Sequence, residues 1–271
     1  NNWVGSGTRT ASGKPILAND PHLGMSTPSI WYLAHLALAD EDAVGGMLPG
    51  VPFMIAGRNR HAAWGFTNTG ADVQDLFLEQ LDPADPTRYR TPDGWASFEI
   101  RRETIEVRFG DDVELDVRIS RHGPVVPPDD ERLKDAVPDG HVVALAWTAL
   151  DPDDTTLDAA YRIMRVKNWA DFREALRSYV VPIQNLVFAS DDGTIGLFVP
   201  GRIPVRKPEN RYQGLLPAPG WDAANDWAGY IPFDELPQWT DPERGFFVTA
   251  NDKVVPADYK PQVTLEWEAP Y

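Results

Sequence analysis

The chain opens Asn1-Asn2-Trp3-Val4-Gly5-Ser6-Gly7, continues through Ala11-Ser12-Gly13-Lys14-Pro15 and reaches Ala18-Asn19-Asp20-Pro21-His22-Leu23. The polar pair Asn1-Asn2 has neither the charge nor the apolar run of a secretory signal at this end. Three later segments belong with this opening. One runs Leu48-Pro49-Gly50-Val51-Pro52, Gly57-Arg58-Asn59 and Ala63-Trp64-Gly65-Phe66-Thr67-Asn68. The others are Trp227-Ala228-Gly229-Tyr230-Ile231-Pro232-Phe233 and Thr249-Ala250-Asn251-Asp252.

Composition narrows the classes of function. With 41 acidic against 25 basic residues the net charge is -16, which repels phosphate backbones and anionic lipid surfaces. A nucleic-acid partner is thereby disfavoured. Much of the acidic surplus sits in turns such as Asp82-Pro83-Ala84-Asp85-Pro86, Asp129-Asp130-Glu131 and Asp151-Pro152-Asp153-Asp154, which suits a solvated surface. No apolar run approaches the roughly 20 residues that span a bilayer, so a membrane helix is not expected. Zero cysteines exclude thiolate nucleophiles, disulfide scaffolds and Cys-based zinc sites together. Ten Trp and 25 Pro fit a turn-rich mixed enzyme domain better than a helical bundle.

Residues 30–38 carry bulky side chains at nearly every position, which predicts a strand covered on both faces. Residues 103–109 and 113–119 alternate with period two around Gly110-Asp111-Asp112, a hairpin expected to be solvated on one face. Residues 142–148 read as another strand. Leu157, Tyr161 and Met164, then Trp169, Phe172, Leu176 and Tyr179, fall at helical spacing, with Asn168 placed to cap the second helix. Strands are predicted at 185–190 and 194–199 around the turn Asp191-Asp192-Gly193, and again at 245–249. No repeat or linker interrupts the chain, and strands on both sides of a helical pair predict one layered domain, α/β or α+β.

The opening and the three later segments resemble the catalytic β chain of the penicillin acylase family of N-terminal nucleophile hydrolases. In that family the pattern reads Ser-Asn-Asn-Trp, and the Ser is both the first residue of the mature chain and the nucleophile. Asn1 and Asn2 match the two residues after it, so the Ser is expected immediately upstream; replacement of Ser by Asn at position 1 would set Trp3 one residue early. The resemblance covers nearly the whole chain. It selects α+β, implying a four-layer αββα sandwich with the nucleophile at the start of an edge strand. It also implies a single catalytic domain over residues 1–271, the N-terminal part of the β chain. A separate α chain from the same precursor is the implied partner, and the implied place is the periplasm or the exterior. Relatives continue past a Trp like Trp267 to an Arg that helps order the site, beyond Tyr271. The polypeptide as it stands is expected to be inactive.

The resemblance also implies the chemistry. An N-terminal Ser carries its own base, because an α-amine with a reference pKa of about 7.7–8.0 is substantially neutral near pH 7–8. No cofactor is required. The oxyanion donors are the side-chain amide of Asn251 and the backbone N–H of Asn68. His22 aligns with a position that orients the nucleophile. Leu23, Met54, Ile55 and Phe66 fall where the family lines its acyl pocket, which implies an aliphatic or aromatic acyl group. Some relatives hold a structural calcium at positions matching Asp72 and Asp75, with help from a Pro like Pro204. The expected substrates are small amides of the penicillin, cephalosporin or acyl-homoserine lactone type. The alternative is a non-catalytic relative that keeps the pocket to bind such amides or lactones. Arg121-His122-Gly123-Pro124 lacks the further Arg of a histidine phosphatase, and no Gly-x-Ser-x-Gly elbow occurs.

Overall fold

The computed structural model describes residues 1–267 except 38, 40, 128, 129, 132 and 134–136. Residues 38 and 129, named above, therefore lie outside the described set. The chain forms two compact units, the first made of Asn1–Asp72, Pro152–Ile203 and Ile231–Tyr271, the second of Val73–Asp151 and Pro204–Tyr230. No helix among the described residues is long and apolar enough to cross a membrane.

In the first unit, strand Asn2–Gly5 lies between Ile16–Asn19 and Phe246–Thr249, antiparallel to both. The opening strand is thus the middle of three described strands, not an edge. Its backbone is paired on both sides, which holds the start of the chain firmly. Side chains alternate across it: Asn2 and Val4 are buried and Trp3 points outward.

The second sheet of this unit has seven strands in the order Gln238–Thr240, Ile195–Phe198, Gln184–Ser190, Ala62–Asn68, Ala56–Arg58, Asp42–Met47 and Tyr32–Ala37. Period two decides its two faces. Val187 and Ala189, with Ile195 and Leu197, pack on Val4 and Phe247 of the smaller sheet. Phe188, between the first two, turns the other way and stacks on Phe172 with centroids 4.7 Å apart. Burying such a side chain stabilises by about 1.5–3 kcal/mol each. Phe172 belongs to helix Trp169–Ala175, which with Thr156–Ile163 covers that far face. Asn168 caps the second helix as predicted, its side chain accepting the Asp171 N–H at 2.9 Å. Gly196 is required beneath Trp169, because a Cβ there would lie 2.2 Å from the indole ring.

One helical layer and two sheets are therefore present among the described residues of the first unit. A helical layer over the free face of the smaller sheet is not among them. Two expectations need correction. Strand Tyr32–Ala37 exists but is mostly exposed, with Leu33 at 87%, because it is the outermost strand and pairs only with Asp42–Met47. The first helix buries Ala159, Ala160 and Ile163 and leaves Leu157 and Tyr161 exposed. Two Ala residues let its backbone approach the sheet, with Ile163 and Met164 buried beside them, so Leu157 and Tyr161 face outward.

The second unit is built on strand Gln74–Asp82, flanked by His141–Trp147 and by Asp85–Thr91, which continues to Gly94–Ser97. Ala218–Pro219 joins it in parallel, and Phe77, Ala146 and Ala218 form the local core. The predicted hairpin is present, but its first strand lies earlier than expected, as Glu99–Ile105 paired with Val113–Ser120, so that residues 106–109 belong to the connection. Every position of Glu99–Ile105 is exposed, so this strand is solvated on both faces and not on one. Pro204–Arg206 pairs with Trp227–Tyr230.

Candidate active site

The first unit gathers the chain start, Asn68 and Asn251 around one cavity of about 290 Å³, also lined by His22, Leu23 and Gln184. Asn1 is held in line by two backbone bonds with Asp20, each 2.7 Å, one donated by the Asn1 terminus and one by Asp20. Gly65 permits the close approach behind it. A Cβ on Gly65 would stand 2.7 Å from the Asn19 Cβ and 3.1 Å from Asn2 Oδ1.

Asn68 ends strand Ala62–Asn68, opposite Gln184. Thr69 N–H bonds Ile183 O and Asn19 Nδ2 donates to Phe66 O at 2.8 Å from the other side. Backbone groups alternate along an antiparallel strand, so the Asn68 N–H points away from the Gln184–Ser190 ladder and toward that other side. Asn251 follows strand Phe246–Thr249 with φ 65°, a left-handed conformation that Asn tolerates and branched residues do not. Asp252, where the family pattern has Asn, pins this bend: its Oδ1 accepts the Ala250 N–H at 2.9 Å. His22 lines the same cavity, half its side chain exposed, with its Nε2 3.2 Å from Asp20 Oδ2.

Leu23, Trp31, Phe66 and Gln184 also line a second, apolar cavity of about 300 Å³ that includes Met54 and Ile55. All four residues expected to line an acyl pocket therefore fall in this one region. Met54 is 2% exposed, and its carbonyl accepts the Trp64 indole N–H at 3.2 Å. Asn59 anchors the same wall. Its amide donates to Met164 O and Val166 O at 3.1 and 2.8 Å, while its Oδ1 accepts the N–H groups of His61 and Ala62. Tyr179, on the far wall, donates to Pro182 O at 2.7 Å, and burial pushes its hydroxyl pKa well up, so the wall is neutral.

Asp75 lies in the second unit, 4% exposed at its side chain, and is committed to nitrogen donors. Arg206 donates to both of its oxygens at 2.6 and 3.0 Å, and the Trp227 indole adds a bond of 2.7 Å. Calcium takes six to eight oxygen ligands. A carboxylate already balanced by a buried guanidinium does not fit that role, and no cluster of three or more His, Cys, Asp or Glu able to hold a metal occurs among the described residues. Asp72, in the first unit, donates its backbone N–H to Val263 O at 3.2 Å.

A larger cavity, about 580 Å³, lies in the second unit beside His122. Its ionisable groups bind one another. His122 stacks on Phe77 at 3.7 Å and lies 2.7 Å from Glu79 and 3.2 Å from Asp226 through its two nitrogens. Arg121 donates two further bonds to Asp226. The Arg-His-Gly segment is thus spent on structure.

The reading of the sequence missed Trp31, Gln184 and Asn185 as parts of this region. Trp31 and Gln184 carry no motif of their own; only the packing of distant strands brings them to the cavities.

Comparison with known proteins agrees with this geometry. The family model described as penicillin amidase matches residues 1–271. The chain is 35% identical to the penicillin acylase 2 proenzyme of Pseudomonas sp. (strain SE83), over 100% of this chain and 34% of that protein. It is also 35% identical to the acyl-homoserine lactone acylase QuiP of Pseudomonas aeruginosa, over 100% of this chain and 32% of that protein. The structure superposes with a TM-score of 0.86 on a thermostable penicillin G acylase from Alcaligenes faecalis, at 27% identity, covering 100% of this chain and 46% of that one. The chain thus spans about a third of the curated relatives it matches.

Proposed function

The chain belongs to the penicillin amidase family, and from that premise we propose that the protein of which it forms part hydrolyses acyl amides through an acyl-enzyme on a Ser immediately before Asn1. The register of the first strand carries this reading. Asn2 pairs with Thr249 on one side and Asn19 on the other. A residue before Asn1, two beyond Asn2 in the same register, would stand opposite Asn251 and beside Pro21, at the cavity that Asn68 and His22 line.

The steps then follow from the groups present. The free α-amine of the Ser takes the hydroxyl proton as the oxygen attacks the amide carbon. The Asn251 amide and the Asn68 N–H donate to the oxyanion. The C–N bond breaks, the proton passes from the α-amine to the leaving amine, and the acyl group stays on the Ser oxygen. Water, deprotonated by the same amine, releases the acid. His22, bonded to Asp20, orients the start of the chain.

The apolar cavity supports an uncharged aliphatic or aromatic acyl group. The relatives' names, penicillin acylase and acyl-homoserine lactone acylase, both describe cleavage of an acyl amide. An α chain from the same precursor and a complete four-layer sandwich belong to the same proposal, supported by a relative named as a proenzyme.

Intact-mass analysis of the mature protein tests the premise: a Ser before Asn1 is expected, and Asn as the native terminus overturns it. Changing that Ser to Ala should abolish hydrolysis of phenylacetyl and fatty-acyl amides alike. Retained turnover refutes the mechanism.

A further inference from the structure

The two proposed oxyanion donors sit on different sheets of the first unit, Asn68 on the larger and Asn251 after a strand of the smaller. Their spacing must be held to a fraction of an ångström for both to reach one oxygen. Beneath them lies a buried polar lattice. Thr67 Oγ1 is 2.8 Å from Thr249 Oγ1, a hydroxyl contact between residues 182 apart in the chain. Asn185 Nδ2 donates to Thr67 Oγ1 and to Asn68 O, both at 3.2 Å. Asn185 Oδ1 accepts the Thr69 hydroxyl at 2.9 Å. Thr67, Thr69, Asn185 and Thr249 are all buried, at 6%, 1%, 0% and 0% exposure.

Donor counting orients Asn185. Both amide protons of Asn185 are used on Thr67 and Asn68, and its orientation is fixed because the Asn68 carbonyl can only accept. Thr67 accepts from Asn185 and keeps its proton and a second acceptor site for the contact with Thr249. Thr67 thereby bridges Asn185 and Thr249, and its contact with the Thr249 hydroxyl runs in either direction. Thr67 shares a peptide plane with the Asn68 N–H, and Thr249 stands two residues before Asn251.

We propose that Thr67 and Thr249 form a hydroxyl clasp, oriented by Asn185, that sets the spacing of the Asn68 and Asn251 donors, making all three positioning residues for hydrolysis. The inference rests on the function proposed above. Asn185 and Thr249 lie outside the lining of the site cavity, and Thr67, which lines it, is only 6% exposed; each acts through the backbone that carries a donor. A buried hydroxyl pair joins two sheets that apolar packing alone would let slide, since dispersion contacts carry no directional preference.

The test uses the complete mature enzyme with a chromogenic phenylacetyl amide. Thr67→Val and Thr249→Val keep volume and remove one hydroxyl each. Either is expected to lower kcat roughly 10- to 100-fold, with KM within about twofold, because the acyl cavity is untouched. Thr67→Ser and Thr249→Ser keep the hydroxyl and should restore most of kcat. The double Val variant should lose no more than the worse single one. Asn185→Asp removes both donors at constant shape and is expected to match the Val variants; it carries the test should a Val variant not fold. Unchanged kcat in the folded Val or Asp variants, additive losses, or Ser variants no better than Val would each overturn the clasp. Asn251→Ala is the control for the underlying reading: if it retains turnover the oxyanion assignment itself fails, whereas its loss beside active clasp variants removes only this inference.

Discussion

Asn2 and Thr249 face each other across an antiparallel pair, with Trp3 opposite Val248 and Val4 opposite Phe247. The strand that begins the chain and the strand that leads to Asn251 are therefore hydrogen-bonded neighbours. Whatever precedes Asn1 inherits a position set by this ladder and by Asp20, before any substrate contact is made.

Asn251 can be tested directly. Replacing it with Ala in the complete enzyme removes one proposed oxyanion donor and should lower kcat by about 10²–10³ with little change in KM. Steady-state kinetics on two acyl amides check this. A loss confined to KM would place the residue in binding instead.

Gly65 should tolerate no side chain. A Cβ at 2.7 Å from Asn19 meets the side chain that bonds Phe66 O, so neither strand can yield without breaking that bond. Gly65→Ala is expected to cost about 1–3 kcal/mol, as overpacking does. Thermal unfolding of the full protein gives the answer, and an unchanged midpoint would show that Asn19 can move.

Arg206 is expected to be essential to the second unit. Arg206→Met leaves the Asp75 carboxylate buried against the Trp227 indole with no counter-charge, a loss of about 3–5 kcal/mol. Arg206→Met with Asp75→Asn should recover part of it. Chelator added to the wild-type protein should leave the melting temperature in place; a clear drop would show that a bound cation does what is here assigned to the guanidinium.

Acid should weaken the Arg121, His122 and Asp226 network. Burial disfavours the charged Asp226, but hydrogen bonds from Arg121 and His122 outweigh it and hold the carboxyl below its ordinary value. A depressed folded pKa means stability that is present above the unfolded value of about 3.9 and is lost as pH falls through the folded one. Asp226→Asn should thus be less stable than wild type at pH 7 and lose less between about pH 4 and pH 2. Urea midpoints across that range check the sign.

Much of the first unit was legible because its signals are local. Asn168 announces a helix, Asp191-Asp192-Gly193 a turn, and Thr249-Ala250-Asn251 a strand end, each within a few residues. The apolar run ending in Tyr32–Ala37 misled because hydrophobicity at a position does not say whether a neighbouring strand or layer is there to cover it. The contacts that decide the rest are long-range: Asp75 meets Arg206 131 residues away, and Thr67 meets Thr249 across 182. Neither pairing has a period or a motif. Carboxylates at Asp72 and Asp75 read equally well as cation ligands or as salt-bridge partners until the guanidinium is seen.

The left-handed backbone at Asn251 filters replacements twice. Gly would keep the bend and discard the amide; Gln would keep an amide, one methylene too long, on a backbone it adopts with strain. A saturation library at this codon should accordingly return a single active residue, and the chemistry of the site is frozen by its conformation as much as by its hydrogen bond.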